Sequence, residues 1–242
     1  MYYLYFHLLE VVKIKDRYKK NISSLSIEEN ERLKDFSVCI IGCGGLGGYI
    51  IEMLARLGIG HLTLVDYDVF EESNLNRQIL CKEDSIGISK VEIGKNRIKE
   101  INSDVEVTFV KQELKEDNCK EIIKNHDVVI DALDSISTRF ILQNSCENLG
   151  IPMIHGAIGG WFGQVCTIFP GDNTLSLIYK NGIDKGIEKS LGNPAFTPAN
   201  IASIQVGEVI KILLSKGSIL RNKLLIVDLL YNEYNIIEFN NN

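Results

Sequence analysis

The sequence has few of the residues that build disulfide scaffolds, and it has no uninterrupted apolar run typical of a membrane span. It contains six cysteines and four prolines in 242 residues, too few cysteines for a disulfide framework. The N-terminus shows no basic leader and no small-residue cleavage site, so we expect a protein of the reducing cytoplasm. Asn148–Gly171 lacks Asp, Glu, Lys and Arg, but its glycines, Pro152 and His155 favour buried strands and turns over a membrane helix.

Charge and composition narrow the class of protein further. The 32 acidic residues outnumber the 26 basic ones, and the formal net charge of −6 disfavours a general nucleic-acid binder. Hydrophobic residues make up 45% of the chain and charged residues 24%, values typical of a globular protein with a buried core. A disordered chain, a collagen-like repeat and a coiled coil are therefore excluded.

Strand-like and helix-like segments alternate from residue 37 to about residue 156. Short apolar runs predict buried strands, and segments with apolar residues three or four apart predict the helices between them. The predicted strands are Ser37–Ile41, His61–Asp66, Val105–Val110, Asp127–Asp131 and Ile151–Gly156. This order is typical of an α/β fold: a Rossmann-like, doubly wound, mostly parallel sheet with helices on both faces.

The pattern changes after Gly156. Gly163–Phe169 follows without a predicted helix before it, so we expect an antiparallel strand there. Leu224–Asp228 and Ile236–Phe239 predict two further edge strands. The sequence therefore predicts antiparallel strands added at the C-terminal side of the parallel sheet.

The remaining segments set the expected domain boundaries. Turn residues are frequent over 171–197, which predicts a long crossover loop. Ahead of the first strand, Ser26 and Glu29 are placed as a capping box for a short helix. We therefore expect an N-terminal helical arm over residues 1–36 and a single domain over residues 37–242.

A glycine-rich loop lies between the first predicted strand and the helix after it. Its glycines form a G-x-G-x-x-G arrangement and are Gly42, Gly44, Gly45 and Gly47. Glycines allow a tight turn, and backbone N–H groups at the start of the helix can then meet phosphate oxygens. Asp66 ends the second predicted strand, where a carboxylate can bind a ribose hydroxyl. The loop predicts a nucleotide site, against the alternative of a glycine turn chosen for close helix–sheet packing.

Residues after the parallel strands favour ATP over a nicotinamide cofactor. Arg77 lies in the loop after the second strand, Lys90 opens the next helix, and Asp134 follows the fourth strand. The carboxyl ends of parallel strands share one edge, so these groups can converge on the glycine loop. Two cations suit phosphate oxygens and one carboxylate suits Mg²⁺. Each residue alone also has a plain alternative: a solvated surface charge for the cations and a helix cap for the carboxylate.

Together these motifs resemble those of the ThiF/MoeB/HesA family, the bacterial relatives of ubiquitin-activating enzymes. The resemblance extends from about Arg17 to about Tyr231 and includes G-x-G-x-x-G, D-x-D, N-x-x-R-Q, the helix-opening lysine and D-x-x-D in that order. It implies an ATP-binding adenylation domain that adenylates the C-terminal Gly-Gly carboxylate of a small ubiquitin-like sulfur-carrier protein and releases pyrophosphate. A separate sulfur donor would then act, in thiamin or molybdopterin biosynthesis.

The resemblance also implies roles for the matching residues. The four glycines of the loop would bind phosphate, Asp66 would bind the ribose with Asp68 beside it, and Asp134 would bind Mg²⁺ and act in catalysis. Four further residues would contact the phosphates: Asn74, Arg77, Gln78 and Lys90. Of these, Arg77 and Lys90 would also act in catalysis.

A further match implies a homodimer. Arg17–Asn21 resembles the family segment R-Y-x-R-Q, whose second arginine reaches into the ATP site of the partner subunit. Here that position is Lys20, which keeps the charge but lacks the bidentate fork of an arginine. The alternative for Lys20 is a solvated surface residue.

The cysteines depart from two patterns found in the family. No two of them are three residues apart, so no Cys-x-x-Cys pair is present and we predict no zinc. No cysteine lies between Gly171 and Asn242, where some relatives carry one that bonds covalently to the carrier. Cys81 is the most exposed candidate from sequence, with a small apolar loop residue as its simpler interpretation.

Three other functions stay open: a tRNA threonylcarbamoyladenosine dehydratase, a peptide-modifying adenylating enzyme, and a non-catalytic nucleotide-binding module. The acidic net charge and the segment GAIGGWFGQV disfavour the tRNA enzyme. The presence of Arg77, Lys90 and Asp134 disfavours a binding module without turnover.

Overall fold

A computed structural model describes residues 14–179 and 191–239. Within them an eight-stranded sheet has the order β3-β2-β1-β4-β5-β6-β7-β8. Its strands are β1 Ser37–Ile41, β2 His61–Val65, β3 Glu106–Val110, β4 Val128–Asp131, β5 Met153–Gly159, β6 Phe162–Ile168, β7 Lys223–Asp228 and β8 Glu233–Glu238. The helices are α1 Ile27–Arg32, α2 Gly45–Leu57, α3 Lys90–Ile101, α4 Glu116–Ile123, α5 Ile136–Leu149, α6 Thr174–Ile178 and α7 Phe196–Leu214.

The first five strands are parallel, and the last three are added through antiparallel pairing. β1 pairs in parallel with β2 and β4, with Ile41 beside Val65 and Asp131 at their carboxyl ends. β5 and β6 form an antiparallel hairpin, which β7 and β8 extend. The predicted α/β class, the parallel sheet and the antiparallel strands at the C-terminal side are confirmed.

Apolar side chains of the central strands pack into two layers, one on each face of the sheet. Ile40 and Ile130 face the layer built with α2, α3 and α7. Cys39, Val129 and Met153 face the layer built with α4, α5 and α6. Burial on both faces explains why these strands are continuous apolar runs in the sequence.

The segment between β6 and α7 contains more regular structure than predicted. Residues 171–197 were expected to form a crossover loop, but α6 occupies Thr174–Ile178 and α7 begins at Phe196. Burial of Leu175 in the α4–α5 layer gives this short helix its anchor. The middle of the predicted loop, 180–190, lies outside the described residues.

Two local features complete the described part of the chain. Ser26 and Glu29 form the predicted capping box of α1: the Glu29 N–H donates to Ser26 Oγ at 3.1 Å and the Ser26 N–H donates to Glu29 Oε2 at 2.7 Å. Among the helices of residues 14–179 and 191–239, none combines the length and the hydropathy that crossing a membrane requires.

Candidate functional site

Two glycines of the loop between β1 and α2 are required by the protein's own packing. Gly42 has φ +96°, and a Cβ there would lie 2.6 Å from the carbonyl oxygen of Ala132. A Cβ on Gly47 would lie 1.9 Å from the carbonyl oxygen of Gly42. These positions let the loop turn tightly against β4 and α2.

Gly44 and Gly45, which lie between Gly42 and Gly47 in the loop, have no such packing requirement. A Cβ at Gly44 would lie 3.5 Å from Gln78 Nε2, and one at Gly45 would lie 3.6 Å from Pro198 Cβ, both ordinary contacts. Gly44 is also the N-cap of α2, with no side-chain cap in the described structure. A phosphate can approach a helix N-terminus closely when no side chain blocks it and the first N–H groups are uncapped.

Alanine at these two kinds of glycine should have opposite effects. Gly44→Ala should weaken ATP binding about tenfold, which corresponds to roughly 1.4 kcal/mol, and should destabilise the fold less than Gly47→Ala does. Gly47→Ala should destabilise the fold by more than about 3 kcal/mol, because its Cβ has no room. Titration calorimetry with ATP and urea unfolding of each variant measure the two effects. Wild-type ATP affinity in a folded Gly44→Ala protein would contradict the phosphate assignment.

Asp66 follows β2 directly and faces the glycine loop. Its Oδ2 accepts the N–H of Cys43 at 2.7 Å, and its Oδ1 accepts the N–H of Asp68 at 2.9 Å. Burial raises the pKa of the Asp66 carboxyl, and the Lys90 ammonium opposes that shift. Each carboxylate oxygen has a second lone pair, so the group can still accept hydrogen bonds from ribose hydroxyls.

Lys90 is paired within the site. It is the first residue of α3, and its Nζ lies 2.9 Å from Asp68 Oδ2. The lysine side chain is only 8% exposed, whereas that of Asp68 is 46% exposed. An ammonium has three donors, so this ion pair leaves Lys90 able to donate to a phosphate as well.

Asn74 and Gln78 are both buried in the loop after β2. Asn74 Oδ1 accepts the N–H of Glu71 at 3.1 Å and closes the short 3-10 turn Glu72–Asn74. Gln78 Oε1 is buried and has no hydrogen-bond partner in the described structure. Because Gln78 lies against Gly44, this unpaired acceptor borders the glycine loop, where a ligand hydroxyl or a water would satisfy it.

Arg77 is held by its own loop. Its Nη1 donates to the carbonyl of Ser73 at 3.0 Å and to Asn76 Oδ1 at 2.9 Å. Asn76 Nδ2 in turn donates to the carbonyl of Asn193 at 3.1 Å, which joins this loop to the segment before α7. The guanidinium is thus oriented by short-range contacts and keeps further donors for a phosphate.

Asp134 is exposed in the turn between β4 and α5. The charge of Asp68 is the largest cause of the raised pKa of the Tyr67 hydroxyl, and Asp134 adds to it, so carboxylates gather at this edge. Residues 14–179 and 191–239 contain no group of three or more side chains able to hold a metal alone. One exposed carboxylate beside a phosphate site fits Mg²⁺, which binds one or two carboxylates together with substrate phosphates.

Lys20 lies at the opposite edge of the sheet. It is exposed, in a 3-10 helix over Asp16–Asn21. Tyr18 of that helix accepts a hydrogen bond at its hydroxyl from Asn102 Nδ2 at 2.7 Å, and Arg17 donates to Asn102 Oδ1. Asn102 follows the C-terminus of α3, whose twelve residues separate it from Lys90 by roughly 18 Å. The structure does not bring Lys20 to the other site residues of its own chain.

Exposed apolar side chains surround the same edge as the glycine loop. The tip of the β5–β6 hairpin contacts the start of α7: the rings of Trp161 and Phe196 are 4.5 Å apart, and Thr197 Oγ1 donates to the carbonyl of Gly160 at 2.7 Å. Further exposed apolar side chains of this region are Phe162, Leu191, Leu230, Tyr231 and Tyr234. This apolar surface, centred on Trp161, was not identified from sequence.

The structure also contains a buried polar cluster that sequence reasoning missed. Asp131, Arg139, His155 and Gln164 lie under the turn that carries Asp134, together with Tyr179. The signal in the sequence that could have indicated this cluster is the presence of isolated polar residues inside the apolar strands β4, β5 and β6.

All six cysteines are buried. Cys81, considered the most exposed candidate, is 8% exposed, and its thiol donates to the carbonyl of Glu71 at 3.7 Å. The interpretation of Cys81 as a small packing residue therefore fits the structure.

A family model and individual proteins match this chain. The model of the ThiF family matches residues 18–242. The chain is similar to the SAMP-activating enzyme E1 of Haloferax volcanii, with 33% identity over 94% of this chain and 86% of that protein. It is similar to the molybdopterin-synthase adenylyltransferase of Haemophilus influenzae, with 32% identity over 88% of this chain and 89% of that protein.

Longer relatives and solved structures also match. The chain is 36% identical to the adenylyltransferase and sulfurtransferase MOCS3 of Dictyostelium discoideum, and spans 55% of its length. It spans about half the length of the MOCS3 proteins of Culex quinquefasciatus and Aedes aegypti, at 50% of each. Its fold is similar to that of E. coli MccB crystallised with ATP, with a TM-score of 0.76, 24% identity, and coverage of 94% of this chain and 72% of that one.

Proposed function

We propose that this chain, which belongs to the ThiF family and is an adenylyltransferase, uses ATP to adenylate the C-terminal Gly-Gly carboxylate of a small ubiquitin-like sulfur carrier. The observation that carries the proposal is the set of groups at one sheet edge. The N-terminus of α2 has no side-chain cap, and the glycines before it leave space for a ligand. The carboxylates of Asp66 and Asp68 and the ammonium of Lys90 lie beside it. This set suits the ribose and phosphates of ATP.

The proposed reaction is a displacement at the α-phosphorus. A carboxylate oxygen of the carrier forms a bond to that phosphorus, the bond to the β-phosphate oxygen breaks, and pyrophosphate leaves. The carrier carboxylate is already a nucleophile, so no side chain of the chain has to remove a proton. Lys90, Arg77 and the N–H groups of the loop bind the phosphates and neutralise their charge, which is how enzymes of phosphoryl chemistry accelerate such steps.

We propose that Asp134 holds Mg²⁺, which when bound neutralises phosphate charge. The remaining nucleotide roles go to the residues that frame the site: the loop glycines Gly42, Gly44, Gly45 and Gly47 for phosphate, Asp66 for the ribose, and Asn74 and Gln78 for shaping the loop that presents Arg77. Asn74 holds the shape of its buried turn, because its side-chain oxygen already accepts the N–H of Glu71.

The carrier has a suitable surface beside this site. Trp161 and Phe196 expose apolar area next to α7, and Pro198 of α7 lies against Gly45 of the loop. A carrier docked on the apolar surface would therefore place a flexible C-terminal tail at the glycine loop. Exposed apolar surface of this kind is typical of protein interaction sites.

The later step and the cellular setting follow from the same proposal. A sulfur nucleophile from a separate donor would attack the activated carbonyl carbon and displace AMP, as molybdopterin or thiamin biosynthesis requires. No described cysteine has the exposure that a covalent bond to the carrier needs, because all six are buried. We place the reaction in the cytoplasm, in a homodimer with residues 1–36 as an arm on the domain formed by residues 37–242.

Exchange of radiolabelled pyrophosphate into ATP tests the proposal. Purified carriers that end in Gly-Gly are added one at a time, and at least one should stimulate exchange. The same carrier without its two terminal glycines is the matched control and should give none. Stimulation only by threonylcarbamoyl-modified tRNA or by a short peptide, with every carrier inactive, would overturn the assignment in favour of the corresponding alternative.

A further inference from the structure

A buried polar cluster lies beneath the turn that carries Asp134. We define the Asp131 cluster as Asp131, Arg139, His155, Gln164 and Tyr179. Asp131 and His155 have no exposed surface, and Arg139 is 2% exposed. These residues come from β4, α5, β5, β6 and the end of α6, so the cluster joins five elements at one point.

Hydrogen bonds connect the five residues of the cluster to one another. His155 Nδ1 lies 2.7 Å from Asp131 Oδ2, and a carboxylate only accepts, so Nδ1 carries the proton. Tyr179 Oη receives hydrogen bonds from Arg139 Nη1 at 2.8 Å and from Gln164 Nε2 at 3.0 Å. Tyr179 Oη also lies 3.1 Å from His155 Nε2, and Gln164 Nε2 lies 3.2 Å from the same atom.

The cluster holds both polar backbone groups of Leu133, the residue before Asp134. The Leu133 N–H donates to Asp131 Oδ1 at 3.0 Å, and Arg139 Nη2 donates to the Leu133 carbonyl. On the other side of Asp134, Ser135 caps α5 by accepting the N–H of Thr138 at 3.3 Å. The exposed carboxylate is therefore carried by a turn that is pinned on both sides.

Stability alone is a weak reason for such a cluster. Taking a carboxylate and a guanidinium out of water is unfavourable for both groups, and well-packed apolar residues often serve stability equally well. Arg139 Nε lies 3.5 Å from Asp131 Oδ2 while its two terminal nitrogens reach Tyr179 and Leu133. One planar side chain thus sets the position of the turn relative to β4 and α6.

We propose that Arg139 is a positioning residue for Asp134: through Leu133 it fixes the carboxylate where a nucleotide-bound divalent cation meets it. This inference rests on the proposed assignment of Asp134 to Mg²⁺. Residues that orient a metal-binding group from behind typically change metal affinity 10- to 100-fold when they are replaced. The prediction is therefore a loss of metal affinity that exceeds any loss of nucleotide affinity.

The test uses Arg139→Lys and Tyr179→Phe, with Thr167→Val as the matched control. Lysine keeps the charge but cannot reach Leu133 and Tyr179 together, and Phe removes only the hydroxyl. Thr167 Oγ1 donates to Glu208 Oε2 at 2.6 Å, a buried bond on the other face of the sheet that involves no residue of the Asp131 cluster. The readout is binding of Mn²⁺ by electron paramagnetic resonance in the presence of a non-hydrolysable ATP analogue, alongside binding of the analogue without metal.

Arg139→Lys should raise the Mn²⁺ dissociation constant about 10- to 100-fold and should change metal-free binding of the analogue less than twofold. Tyr179→Phe should shift Mn²⁺ binding in the same direction, and it provides the decision if Arg139→Lys does not fold. Unchanged Mn²⁺ affinity in the folded variants, or an equal loss in Thr167→Val, would overturn the inference. Asp134→Ala distinguishes failure of the metal assignment from failure of the positioning role alone. If that variant keeps its Mn²⁺ affinity, the metal assignment fails and the positioning role fails with it.

Discussion

Replacing Asp134 with alanine should lower Mg²⁺-dependent ATP–pyrophosphate exchange by about 10²–10³-fold, the usual effect of losing one group that stabilises charge in a transition state. Asp134 is exposed in its turn, so removing its carboxylate should leave the stability of the fold nearly unchanged. Exchange is measured over a range of Mg²⁺ concentrations, with urea unfolding as the check on stability.

Asp117→Ala is the matched control for this variant. Asp117 is an exposed carboxylate in the first turn of α4 to which no nucleotide or metal role is assigned, and its loss should leave exchange unchanged. Undiminished exchange by a folded Asp134→Ala protein would remove Asp134 from the mechanism.

Lys20→Ala should slow adenylation by a similar factor of about 10²–10³ if Lys20 completes the ATP site of a partner subunit. Its 3-10 helix is fixed by Tyr18 and Arg17 to Asn102, at the edge of the sheet away from the glycine loop. Lys20 lies far from the site residues of its own chain, so the proposed role requires a second copy of the chain. Lys19→Ala is the matched control, because Lys19 is a neighbouring exposed lysine that pairs with Asp16.

Subunit mixing separates a role in trans from a local one. A dimer of Lys20→Ala with Asp134→Ala contains one site with both residues intact, so random exchange in a symmetric dimer should restore activity at about a quarter of the sites. Exchange of subunits is verified by mass spectrometry of the assembly. A fully active monomer in sedimentation, or no rescue after verified exchange, would contradict the trans site.

The sequence predicts the architecture well because the signals are local. The strands are four to seven residues long, the central ones are apolar runs, and the glycine loop occupies one turn between β1 and α2. A parallel sheet then brings its carboxyl ends together without further information. The sequence does not reveal α6 within residues 171–197, because this helix is only five residues long and is held by burial of Leu175, which periodicity does not detect.

The pairings within the site depend on contacts between distant residues, which a single sequence does not reveal. Nothing near Lys90 in sequence indicates that it pairs with Asp68, and nothing in β5 indicates that His155 meets Asp131. Gly44 and Gly47 look alike in the motif, yet only the structure distinguishes the one required by packing. Such distinctions need the positions of neighbouring elements.

The most direct test of the central claim follows an oxygen atom from the carrier to AMP. A carrier with oxygen-18 in its terminal carboxylate is incubated with ATP and the enzyme, and hydroxylamine is added to trap the activated carbonyl. If the carboxylate attacks the α-phosphorus, the released AMP carries one oxygen-18, which mass spectrometry detects. Unlabelled AMP, or ADP with inorganic phosphate in its place, would contradict adenylation of the carrier.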